Sequence, residues 1–183
     1  MFGKRSIKMF KRVTFVDPGM GGTGVAFFPE ISTKASNQPL VPPEVTSCFN
    51  GKRSTSWDLQ CWEIVSQVMG FISSTKSENV VIEMPALWTG SATSMASATH
   101  KGKNKKNEPA DLLKLVLLVG ALSHEIYSVY RKTPILVEPM IWKGQLPKPV
   151  TDARVTELTG LKIKKDHESD AIGMGLSAQG FFD

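Results

Sequence analysis

Three short stretches, far apart in the chain, close on carboxylates that local structure does not call for. They are Val13-Thr14-Phe15-Val16-Asp17-Pro18-Gly19, Val80-Val81-Ile82-Glu83 and Asp166-His167-Glu168-Ser169-Asp170-Ala171. The first two place an acid at the end of an apolar, strand-like run, where an ionised carboxylate is costly unless it is paired or bound to a metal. The third places His167 and Asp170 at i, i+3, on one face of a helix. Hard divalent cations such as Mg²⁺ take oxygen ligands, and carboxylates from separate elements can bridge two of them. Two such ions, about 3.5–4 Å apart, stabilise both the attacking and the leaving oxygen of an in-line displacement at phosphorus. In that reading Asp17 bridges the ions, Glu83 holds one and Asp170 the other. His167 ligates or handles protons, since its ordinary pKa permits either. Asp166, at i, i+4 to Asp170, is the rival for the last ligand place.

Each residue also has a plainer reading. Asp-Pro-Gly is good turn chemistry. Glu83 fits a core ion pair with a Lys or Arg. The acids at 166–170 fit an acidic first helical turn, which the macrodipole favours. What favours a site is the small-residue helix that follows, with Ala171, Gly173, Gly175, Ser177 and Ala178. Each mid-helix Gly costs about 1 kcal/mol relative to Ala. Such a helix is expected where its backbone lies close to a sheet, which would carry His167 and Asp170 to the strand ends bearing Asp17 and Glu83.

The elements that must do this positioning follow from periodicity. Residues 13–17 predict a buried strand stopped by Pro18-Gly19, and Val25–Phe28 the return strand of a hairpin. Val45–Phe49 is a third candidate strand. A helix is expected over Thr55–Ser73, with Trp57, Cys61, Ile64, Val65, Val68 and Ile72 on its apolar face, a cap at Ser54, Thr55 or Ser56, and Asp58 in its first turn. Val80–Glu83 and Pro134–Val137 read as buried strands. Asp111–Tyr130 reads as a long helix, apolar nearly all round, so it must be covered on more than one side. Residues 88–109 read as a mobile basic loop and 138–150 as a Pro-rich loop. Thr151–Leu158 reads as a short helix stopped by Gly160, and 166–179 as the last helix. Early antiparallel strands followed by αβ units imply an α/β fold, a mixed sheet with helices on both faces.

The chain has 183 residues, 41% of them hydrophobic, and a net charge of +5. That allows one domain over 1–183, with 1–12 as a basic N-terminal extension, and favours a polyanionic partner. Cys48 and Cys61 show no metal-binding spacing and read as reduced thiols. The N-terminus lacks the apolar core of a signal peptide, and the Leu115–Leu122 run is too short to span a bilayer. No membrane segment is expected, and the location expected is the cytoplasm.

At the acidic stretches the chain resembles a RuvC-type Holliday junction resolvase of the RNase H-like superfamily. The likeness rests on Asp17-Pro18-Gly19 followed by Thr23-Gly24, on Ile82-Glu83, and on His167-x-x-Asp170-Ala171, in order across roughly 13–178. It implies a five-stranded sheet with the first and fourth strands adjacent. It also implies a homodimer built on helix 111–130 and paired cleavage of four-way junctions by a Mg²⁺-dependent endonuclease, two ions per site, with Mn²⁺ substituting. The chain departs from the family at Ala86, where an aromatic wedge often stands; Trp88 is the substitute candidate. The extension and the long 29–53 and Lys-rich segments suit a divergent, phage-encoded version. Candidate DNA contacts are Trp88, Lys101, Lys103, Lys105, Lys106, Lys143 and Lys148, with Lys162, Lys164 and Lys165 behind them; plain solvation is the alternative for isolated lysines. The competing functions are a related nuclease acting on flaps, other branched DNA or RNA–DNA hybrids, a non-catalytic nucleic-acid-binding module, and an actin-like nucleotide-binding domain.

Overall fold

Alternation along the strands decides which face each side chain reaches. The computed structural model describes residues 10–31, 39–51, 56–85 and 109–182, with side chains of the last stretch from 111 on. In it β1 (Phe10–Asp17), β2 (Thr23–Ile31), β3 (Val45–Phe49), β4 (Asn79–Glu83) and β5 (Ile135–Val137) form one sheet in the order β3-β2-β1-β4-β5. β1 pairs antiparallel with β2 and β2 with β3, whereas β1–β4 and β4–β5 are parallel. The five-stranded mixed sheet is thus as expected, with the first and fourth strands side by side.

Val16, Val25, Phe27, Val80 and Ile82 face one layer, formed by α1 (Trp57–Ser74) and α2 (Pro109–Tyr130). Val13, Phe15, Ala26, Phe28 and Val81 face the other. That second layer holds α3 (Pro139–Trp142), α4 (Lys148–Thr159) and α5 (Asp166–Ala178). Both faces are covered, which is why β4 carries no polar alternation.

Several local expectations change. β1 begins at Phe10, three residues before the strand expected from Val13. Ser56 is the N-cap of α1, but its hydroxyl makes no cap bond; it hydrogen-bonds Asp58, which lowers that carboxyl's pKa. Trp57 precedes the buried stripe of α1 and is exposed. β5 is an edge strand with Ile135 and Leu136 exposed and only Val137 buried, because among the described residues no strand pairs beyond it in the sheet. The Pro-rich stretch 138–150 contains α3 and the first turn of α4: Pro139 and Pro149 occupy opening helical positions, where their missing N–H costs nothing. Gly160 ends α4 in the left-handed conformation, as predicted. Cys48 and Cys61 are free thiols.

α2 is long and apolar enough to cross a bilayer by length and composition, which a count of its uninterrupted apolar run overlooks. Here its Leu118, Leu122 and Ile126 stripe is fully buried in the sheet core, while Leu113 and Leu117 face outward.

α5 lies against the strands as its glycines predict. A Cβ on Gly175 would run into the Phe28 ring, and a Cβ on Gly24 of β2 would run into the backbone of His167. The second contact is backbone on backbone, so no side-chain rotation relieves it. We therefore expect Gly24→Ala to lower stability by about 1–3 kcal/mol, the usual cost of overpacking. Urea denaturation monitored by circular dichroism measures it, and an unchanged midpoint would contradict the packing.

Candidate active site

Asp17 and Glu83 lie one residue beyond the parallel Val16–Ile82 pair, at the carboxyl ends of neighbouring strands. They share parity with Phe15 and Val81, so both point into the α5 layer. The N-terminus of α5 meets them there. Its placement is fixed by polar ties: Thr46 donates to Glu168 at 2.5 Å, Ser169 donates to Asp152 at 2.6 Å, and Lys148 Nζ donates to the Asp166 carbonyl at 2.9 Å.

His167 Nδ1 stands 2.7 Å from Asp17 Oδ2. The Trp142 indole N–H donates to Glu83 Oε2 at 2.7 Å. Asp170 accepts from Lys148 at 2.6 Å and, more loosely, from Lys143 at 3.5 Å. Lys148 also lies 3.2 Å from Asp152. Asp17, Glu83 and Asp170 are close enough that the charges of Asp17 and Asp170 act on Glu83, and that of Asp170 acts on Asp17.

Burial raises the Asp17 carboxyl above its ordinary pKa despite the bond to His167. Burial, reinforced by the charge of Asp17, pushes Glu83 up to about 7. The hydrogen bond to Asp17 raises His167. For Lys148, burial alone would lower the pKa, but the bonds to Asp170 and the charge of Asp152 outweigh it and hold the ammonium up.

Among the predicted site residues, Asp17, Glu83, His167 and Asp170 converge. Asp166 is exposed and contributes its carbonyl to Lys148 rather than its carboxylate to the acids. Lys143 and Lys148, expected as DNA contacts, both reach Asp170. Lys162 and Lys164 are exposed. Trp88, Lys101, Lys103, Lys105 and Lys106, and the loop expected at 88–109 up to residue 108, lie outside the described residues. Nothing in the local sequence of Trp142 marks its bond to a carboxylate 59 residues earlier.

Among the described residues, no three His, Cys, Asp or Glu side chains converge tightly enough to ligate one ion as they stand. The acids are turned to neighbouring donors instead. Their chemistry nevertheless fits a divalent cation. Three carboxylates from three elements, two buried and one half-buried, gather at one end of the sheet and repel one another. Among the described residues no hydrogen bond reaches Asp17 Oδ1 or Glu83 Oε1. Hard oxygen donors with a charge deficit are what Mg²⁺-type ions take.

The sequence matches no family model and no curated protein. The fold, however, has clear counterparts. It is similar to Thermus thermophilus RuvC, with a TM-score of 0.62 and 14% identity over 93% of this chain and 92% of that one. It is equally similar to T. thermophilus RuvC in complex with a Holliday junction substrate, at TM-score 0.62 and 16% identity over 91% of each chain. A Fowlpox virus resolvase in complex with Holliday junction DNA aligns at TM-score 0.55 and 13% identity, over 92% of this chain and 98% of that one. The fold is therefore α/β and RNase H-like, of the kind found in these resolvases.

The raised groups give a signed pH dependence. Asp17, Glu83 and His167 all bind protons more tightly folded than unfolded. Their stabilising effect is full below the unfolded values and is lost as pH rises through the folded ones. For Glu83 that window runs from its ordinary value of 4.5 to about 7. The metal-free protein should thus lose stability between about pH 4.5 and 7, by the order of 3 kcal/mol from Glu83. Denaturant titrations in EDTA at several pH values measure this; stability that rises over that interval would contradict it.

Proposed function

We propose that the protein is a divalent-metal-dependent nuclease that cuts branched DNA, four-way junctions above all. The observation that carries the reading is the set of three carboxylates, Asp17 and Asp170 buried and Glu83 half-buried, brought from β1, β4 and α5 to one end of the sheet. Two of the structures sharing this fold are resolvases in complex with Holliday junction DNA, which favours the same substrate class here.

Asp17 would bridge two Mg²⁺ ions, with Glu83 on one and Asp170 on the other; Mn²⁺ has the same ligand preference. The bound ions supply electrostatic stabilisation of the attacking and leaving oxygens of the phosphodiester. The chain's own residues do the rest. Asp17 and Glu83 are held on rigid strands, so the distance between them is set by the β1–β4 register. His167 presents Nδ1 to Asp17 and leaves Nε2, beside Gly19, to take or give a proton. Lys143 and Lys148 concentrate positive charge at Asp170, where a scissile phosphate must arrive.

Cleavage of four-way junctions, duplex, flaps and RNA–DNA hybrids with Mg²⁺, Mn²⁺ or EDTA tests this directly. We expect junction cutting with either ion and none in EDTA. Asp17→Asn and Glu83→Gln should each lower the rate more than about 100-fold, beyond the 10–100-fold typical of outer-shell partners, with junction binding retained. Unchanged cleavage by both variants would remove the reading. A preference for flaps or hybrids would keep the nuclease and change its substrate.

Symmetric cutting of a four-way junction calls for two sites, and α2 offers the surface for a second copy. Leu113 and Leu117, one helical turn apart, are both exposed, Leu117 at 44%. Sedimentation at micromolar concentration should show a dimer. Leu117→Asp should yield a folded monomer, whereas Leu118→Asp, at a fully buried position, should unfold the chain. A monomeric wild type would contradict the dimer.

A further inference from the structure

Trp142 occupies an unusual place for a core aromatic. It is 4% exposed, at the end of the four-residue helix α3 that leaves β5. β5 pairs with β4 up to Glu83, and Met84 donates to the Val137 carbonyl at 2.9 Å, so the chain entering α3 is registered against the strand that carries Glu83. The indole packs on Phe182, with ring centroids 6.0 Å apart. It also lies over Gly173 of α5, where any Cβ would stand 2.6 Å from ring carbon Cζ3. A glycine in mid-helix is costly, and here it clears the space the indole fills.

A buried indole N–H needs one acceptor, and a backbone carbonyl would serve. The acceptor here is the carboxylate of Glu83, through Oε2. The neighbouring side chain extends the link. Lys143 Nζ lies 4.7 Å from the centre of the Trp142 ring and 3.5 Å from Asp170 Oδ2. One dipeptide therefore touches the acid on β4 and the acid on α5.

We propose that Trp142 is a positioning residue: its N–H fixes Glu83 so that Oε1 is turned toward the divalent cation that Glu83 would share with Asp17. The indole suits this role because it only donates and keeps its proton, so it holds Oε2 whatever the charge on Glu83. It acts through Glu83 and touches neither metal nor DNA. Gly173 is part of the same device, because it lets the ring lie flat enough to reach Glu83. The inference rests on the metal-site reading above.

The test is direct Mn²⁺ titration of the full chain by calorimetry, alongside the Mn²⁺ dependence of junction cleavage. Trp142→Phe keeps most of the ring and removes the N–H. Gly173→Ala keeps the N–H and displaces the ring, and so carries the same expectation even if Trp142→Phe fails to fold. Each should weaken Mn²⁺ binding about 10- to 100-fold. Each should raise the Mn²⁺ concentration for half-maximal cleavage by the same factor, with KM for the junction within about twofold. A role in packing alone would lower the melting temperature and leave Mn²⁺ affinity unchanged; that result in the folded variants overturns the inference. If Glu83→Gln abolishes Mn²⁺ binding while both variants bind normally, the inference fails and the metal site stands. If the wild type binds no Mn²⁺, both fail together.

Discussion

The structure turns on the confinement of like charges. Asp17, Glu83 and Asp170 are drawn from three elements into one partly dehydrated corner at the carboxyl ends of β1 and β4. Carboxylates this close cannot all ionise without compensation, and burial adds to the penalty. The result is visible in Glu83, raised to about 7, and in the upward shift of Asp17. The surrounding residues read as responses to that charge: His167 on Asp17, Trp142 on Glu83, and Lys143 with Lys148 on Asp170. Each compensates one acid singly. A pair of divalent cations would compensate all three together.

The scaffold explains how so costly a corner persists. β1 and β4 are interior strands buried on both faces, with two apolar layers holding their register. The acids sit just past the last apolar pair, so the core ends where the chemistry begins. α5 supplies the third wall, and glycine makes its approach possible at Gly24 and Gly175, where a side chain would collide with the His167 backbone or the Phe28 ring. Polar anchors from β3 and α4, Thr46 and Asp152, hold the helix end that bears His167 and Asp170.

Much of this was legible in the sequence, for identifiable reasons. The strands bearing Asp17 and Glu83 are unbroken apolar runs ended by Pro, and the small residues of α5 announce close packing. The sequence put His167 with Asp170 ahead of Asp166 but kept Asp166 as a rival, because i, i+3 and i, i+4 positions share a helical face; in the fold Asp170 is buried and Asp166 exposed. β5 was misread as buried because Ile-Leu-Val looks the same at an edge as in the centre, and edge position is a property of the whole sheet. The Lys143 and Lys148 contacts to Asp170 and the Trp142 contact to Glu83 join residues 22 to 59 apart. Only the crossing of α3 and α4 beneath the strand ends brings them together.

A crystal structure of the protein grown with Mn²⁺, read by anomalous scattering, tests the central claim most directly. The account predicts two anomalous peaks about 3.5–4 Å apart, one ligated by Asp17 and Glu83 and the other by Asp17 and Asp170. In that state Lys143 and Lys148 no longer hold Asp170. No anomalous density among these carboxylates at millimolar Mn²⁺ and neutral pH, with both lysines still bonded to Asp170, would contradict it.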